Sequence, residues 1–224
     1  MQNTATIPIQ NIRPDEIEAE SFRIIERELG QHDFKPDSFA IVRRVIHATG
    51  DFSFANSLML HPQAISSGID AIMRGKDILV DVNMAAAGIN KKHLEKWGGR
   101  VICGVSDPET AMLAAQKGMT RSEAAIERLL AENIGIVAIG NAPTALLKLM
   151  ELMEGFSVNQ TAGSIPSLVI GVPVGFVNAA ESKDILVTRA YPFITCLGRK
   201  GGTPVAVAII NALLKLAETA ETSC

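Results

Sequence analysis

The chain has 224 residues, 47% of them hydrophobic and only 4% aromatic, with 21 Lys and Arg against 24 Asp and Glu, a net charge of -3. That is enough apolar chain for one sizeable core, so a single domain over 1–224 is expected. The balanced charge without a basic run argues against nucleic acid as a partner. Three scattered cysteines, Cys103, Cys196 and Cys224, suggest neither a disulfide framework nor a zinc site, and fit a reducing cytoplasm.

Residues 1–13 read as an extended arm. The start turns acidic where a secretory leader would be apolar. PDEIEAESFRIIERELG and PDSFAIVRRVIHATG, each opened by Pro-Asp, read as two consecutive helices that flank a sheet. The apolar runs ILVDV (78–82), RVICGV (100–105), IGIVAIG (134–140), SLVIGV (167–172), DILVTR (184–189) and FITCLG (193–198) have the uniform character of strands buried on both faces. Helical patterns alternate with them: DPETAMLAAQKG, TRSEAAIERLLAEN, APTALLKLMELMEG and TPVAVAIINALLKLAE. Alternation of this kind predicts an α/β fold, a mainly parallel sheet with helices on both sides. Mean hydropathy is +0.22, yet LVIGVPVGFVNAA and PVAVAIINALLKLA read as too short or too broken for the roughly 20-residue span of a bilayer. No membrane partner is expected.

In an open sheet of this type, ligands bind beyond the carboxyl ends of the strands. The residues there are Asp81 to Met84, Gly104 to Asp107, Gly140 to Pro143, Gly171 to Gly175 and Gly198 to Thr203. Most of these turns carry glycine, which lets a backbone turn sharply or approach a ligand. GRKGGTP joins an Arg-Lys pair to a threonine placed as an N-cap, a combination suited to carboxylates or phosphates. The very apolar helix after it reads as a core helix. The four histidines, 32, 47, 61 and 93, lack the spacing of a metal site. There is no G-x-S-x-G elbow, and Cys103 and Cys196 sit in apolar runs as inert thiols. His47, behind Arg43 and Arg44, is the residue suited to proton transfer, because imidazole changes charge near neutrality. Physical reading alone reaches a glycine-lined, partly cationic crevice with one well-placed histidine.

ESFRII (20–25), RRVIHATGD (43–51), DVNMAAAGI (81–89), TRSEAA from Thr120, GNAPTAL (140–146), GVPVGFVNAAESK (171–183) and GRKGGTPVAVAIINAL (198–213) together resemble the precorrin-8X methylmutase family. That family includes the cobalt-precorrin-8 methylmutases of cobalamin biosynthesis, and the likeness covers nearly the whole chain. It implies a three-layer α/β/α sandwich, a homodimer with an active site near the subunit interface, and no external cofactor. The implied reaction is an isomerisation that moves a methyl group from carbon 11 to carbon 12 of a corrinoid tetrapyrrole. Its product is cobyrinate on the cobalt route and hydrogenobyrinate on the metal-free route.

By this resemblance His47 aligns with the family's acid/base histidine, and Ser21 and Arg44 with positions that contact substrate. The substrate is a flat apolar ring bearing acetate and propionate groups, so it asks for an apolar floor and a rim of carboxylate partners. Arg121, Arg199 and Lys200 suit that rim, and Asn83, Met84 and Asn141 the floor and edge. Two other readings remain open at this level: a non-catalytic corrinoid carrier, and a different α/β enzyme acting on an anionic small molecule. Any cobalt is carried by the macrocycle, so the protein shows no ligand signature for it.

Overall fold

A computed structural model describes residues 11–131, 133–159 and 165–222; most of the expected N-terminal arm, residues 1–10, lies outside them. The chain divides into an N-terminal unit up to Asp33 and a body from Phe34 onward. In the first unit, α1 (Ile17–Leu29) carries Glu18 and Glu20 in its first turn and Arg27 in its last. This charge order complements the helix dipole. Gly30, at φ 70°, ends the helix.

The body is built on a six-stranded sheet of β1 (Leu58–Leu60), β2 (Asp77–Val80), β3 (Val101–Ile102), β4 (Ile134–Ile139), β5 (Leu168–Gly171) and β6 (Phe193–Cys196), in the order β1-β6-β5-β4-β2-β3. All neighbours pair in parallel except β1, which runs antiparallel to β6 at one edge. Every residue of β2, β4, β5 and β6 is buried, as their unbroken apolar runs require. DILVTR is not a strand. Its first four residues, 184–187, fall in α10 (Ala179–Val187), where Ala179, Ser182, Lys183 and Leu186 are buried at helical spacing.

Alternate residues of β5 separate the layers. Leu168 lies against Gly68 of α4 (Ala64–Met73), where Leu213 of α11 (Thr203–Thr222) also packs. Val169 joins Leu79, Val137 and Ile139 in a core closed by Ile126 of α8 (Arg121–Leu129), Leu146, Leu149 and Met153 of α9 (Pro143–Asn159), and Leu186 of α10. The expected α/β/α sandwich results. Across the first face α11 packs on α2 (Pro36–Thr49), α4 and α5 (Asn83–Gly88). The remaining helices are α3 (Phe54–Ser57), α6 (Lys91–Glu95) and α7 (Pro108–Lys117).

Two expectations need correction at α11. Thr203 is its first helical residue rather than the cap before it. At 20 residues the helix is also long and apolar enough to cross a bilayer, because Pro204 in its opening turn does not interrupt it. Here 56% of its apolar window is buried inside the protein, with Val205, Ile209, Ile210, Leu213 and Leu214 fully covered. It serves as the core helix.

Candidate active site

Strand order reverses between β2 and β4: β3 lies beyond β2 on one side, and β4, β5 and β6 follow on the other. The crevice of such a sheet opens at this switch point. Asp81, the residue after β2, sits there fully buried. Its carboxylate accepts the backbone N–H groups of Gly140 (3.1 Å), Asn141 (2.8 Å) and Ala142 (2.8 Å), fixing the turn that leads into α9. Burial pushes its pKa up, opposed by those three donors. A Cβ on Gly140 would lie 2.8 Å from Thr203 Cα, so glycine lets the start of α11 close onto this turn.

The turns after β5 and β6 are joined backbone to backbone. Gly202 N–H donates to Val172 O (2.8 Å) and Gly175 N–H to Arg199 O (3.2 Å). Gly201, at φ 151°, passes so close that a Cβ would overlap the Val172 carbonyl. Behind them Lys183 is wholly buried. Its Nζ donates to the Lys200 carbonyl at 2.6 Å and lies 3.9 Å from Cys196 Sγ. Burial lowers the pKa of this ammonium and raises that of the Cys196 thiol. Burial likewise raises that of Cys103.

His47 lies exposed in the last turn of α2, with half-buried Arg44 three residues earlier on the same side. Gly50, left-handed at φ 65°, ends the helix with its N–H on Ile46 O. Asp51 follows, and its Oδ2 accepts from Lys200 Nζ at 2.7 Å; the same ammonium reaches Ser53 Oγ at 3.0 Å. Lys200, then Ser53, hold the Asp51 carboxyl down at about 2. The bridge ties the histidine's helix to the turn after β6.

Of the sequence-selected residues, Lys200, beside Arg199, is thereby joined to the chain four residues after His47, and Arg44 lies one helical turn further back. Arg199 lies over the Phe176 ring, 5.5 Å from its centroid. Asn141 sits at the switch-point turn, and Asn83 donates through Nδ2 to Ser106 Oγ at 2.7 Å, linking the turns after β2 and β3. Arg121 opens α8 behind Thr120, whose hydroxyl lies 3.1 Å from that of Thr144 at the start of α9. Met84 is 66% exposed on α5. Ser21 belongs to the N-terminal unit, where its hydroxyl donates to Ile17 O of its own helix at 2.8 Å.

Sequence reasoning passed over Asp51, Lys183 and the capping role of Asp81. A lysine within AAESKDILV, flanked by acidic residues, reads as a solvated charge. Only the three-dimensional packing shows it buried. Phe176 (84% exposed), Val177 (78%) and Met84 leave apolar side chains uncovered around the same end of the sheet. Cations, amides and an exposed imidazole beside apolar surface suit an anionic ligand that also carries apolar area.

A family model described as precorrin-8X methylmutase matches residues 16–216. A cobalt-precorrin-8 methylmutase of Priestia megaterium is 44% identical over 212 residues, 94% of this chain and 92% of its own. One from Leptospira interrogans is 42% identical over 89% of this chain and 92% of its own. The crystal structure of a Thermus thermophilus precorrin-8x methyl mutase matches the fold with a TM-score of 0.80 at 40% identity, covering 92% of this chain and 98% of that one. With likeness of this extent in both sequence and fold, the chain belongs to the precorrin-8X methylmutase family.

Proposed function

We propose that the protein is the isomerase that moves a methyl group from carbon 11 to carbon 12 of cobalt-precorrin-8, giving cobyrinate in cobalamin biosynthesis, with His47 as the acid/base residue. The observation that carries the reading is the placement of the His47 helix end against the turn after β6 through the Lys200–Asp51 bridge. In this reading the exposed imidazole, on a helix end held by that bridge, gives a proton to the conjugated ring, which favours methyl migration. Return of a proton to the imidazole then restores the chromophore and leaves the enzyme unchanged. The migrating group stays within one molecule, so no external cofactor is needed.

Arg44, Arg121 and Arg199 serve the substrate's carboxylates, for which guanidinium offers two parallel donors. Lys200 adds a cation at the same rim, shared with Asp51. Asn83 and Asn141 supply amide contacts at the edge and Met84 apolar floor; the substrate contact of Ser21 rests on the family resemblance alone. The cobalt form is favoured because the relatives at 44% and 42% identity are named for it. The uncovered apolar side chains at 176 and 177 support a homodimer, which buries apolar surface of this kind. A cytoplasmic location is part of the same proposal; α11 is packed in the core as the central helix of a globular protein.

The test is incubation of the purified protein with cobalt-precorrin-8 and with precorrin-8X. The expected result is a visible-spectrum change at constant mass, faster with the cobalt form. Tight binding of both without conversion would leave a carrier instead.

A further inference from the structure

We infer that Lys183, Lys200 and Asp51 form a strut that sets the position of the His47 helix end relative to the turn after β6, which makes Lys183 a positioning residue for the reaction. This inference rests on the functional reading above. Lys183 is fully buried, where an ammonium is costly and a methionine would fill the same volume. Its Nζ makes a short bond, 2.6 Å, to the Lys200 carbonyl, which also accepts from Cys196 Sγ at 3.2 Å. Lys200 is thus gripped at its main chain from inside the sandwich. Its own ammonium is held on the outside by Asp51 and Ser53.

The strut joins two parts of the chain that share no sequence neighbourhood, residues 51 and 200 being 149 positions apart. At the near end, Asp51 follows the helix carrying His47 by one left-handed glycine. At the far end, Lys183 stands on α10, which opens directly after the glycine-rich turn that pairs with residues 199 and 202. One residue, Lys200, therefore transmits the placement of the sheet edge to the helix end. Displacing a catalytic group by about 1 Å costs on the order of 100-fold in rate. Fully buried, Lys183 acts only through the main chain of Lys200.

The experiment compares Lys183→Met, Asp51→Asn and the double variant, with kcat and KM for cobalt-precorrin-8 and the dissociation constant for product. The strut predicts that each single change lowers kcat roughly 10- to 100-fold with KM and product affinity little altered. The double variant should lose no more than the worse single, because both changes cut one connection. In a His47→Ala background, Asp51→Asn should leave the residual rate unchanged, since the strut acts through the imidazole. Should Lys183→Met fail to fold, Asp51→Asn alone, with and without His47→Ala, carries the comparison. Folded variants with wild-type kcat, or losses that multiply in the double variant, would overturn the strut while the methylmutase reading stands. A wild-type protein that converts no corrinoid would overturn the functional reading and the catalytic meaning of the strut with it.

Discussion

Replacing Gly201 with alanine tests the backbone joint on which the site depends. Gly201 has φ 151°, and an added Cβ would overlap the Val172 carbonyl oxygen and stand 3.0 Å from that of Pro173. Neither obstacle is a flexible side chain, so the two turns must separate. The conformation alone costs an L-residue about 1–3 kcal/mol. Separation also endangers the Gly202 N–H bond to Val172 O, 2.8 Å long, a contribution of about 1 kcal/mol. The sum is about 2–4 kcal/mol. At roughly 2–4 °C per kcal/mol for a chain of this size, the melting temperature should fall by about 5–15 °C. Gly155→Ala in α9 is the matched control, because an added Cβ meets nothing within 4 Å and alanine in a helix gains up to about 1 kcal/mol over glycine. Thermal melts followed by circular dichroism read both. A Gly201→Ala protein melting within about 2 °C of wild type would refute the close-approach reasoning.

Removing the Asp81 carboxylate by Asp81→Ala leaves three N–H groups at 140–142 without their acceptor. At about 1–3 kcal/mol each, a loss of several kcal/mol and faster amide exchange at those three residues are expected. The Asp51 carboxyl, held at about 2 by Lys200 and Ser53, should titrate there by NMR and return toward its ordinary 3.8 in Lys200→Met. The sign follows: the folded value is depressed, so the bridge contributes fully above pH 3.8 and is lost as pH falls toward 2. A dimer by sedimentation, broken to monomer by Phe176→Asp, is the expected assembly. A wild-type monomer would exclude it.

Much of the sheet was legible because strands buried on both faces need unbroken apolar runs, and 134–139, 168–171 and 193–196 have them. The same rule misread DILVTR, whose three adjacent apolar residues imitate a strand. The true helical face of α10 includes Lys183, and a lysine does not register as a core position. β1 escaped notice since three residues pairing with β6 from across the chain leave no local signal. At the site, glycine turns, His47 and the cations are visible as residue types in plausible places. The connections among them are not: Asp51 reaches Lys200 across 149 positions, and Asp81 reaches Asn141 across 60. Such pairings are properties of the folded chain, and periodicity does not encode them.

In the proposed mechanism His47 transfers the proton that accompanies methyl migration on a corrinoid. Single-turnover conversion of cobalt-precorrin-8 by wild type and by folded His47→Ala, followed by visible absorbance, tests it most directly. Full conversion by the wild type and a loss on the order of 100-fold or more in the variant, with substrate binding retained, are expected. Equal conversion by the two proteins would contradict that mechanism.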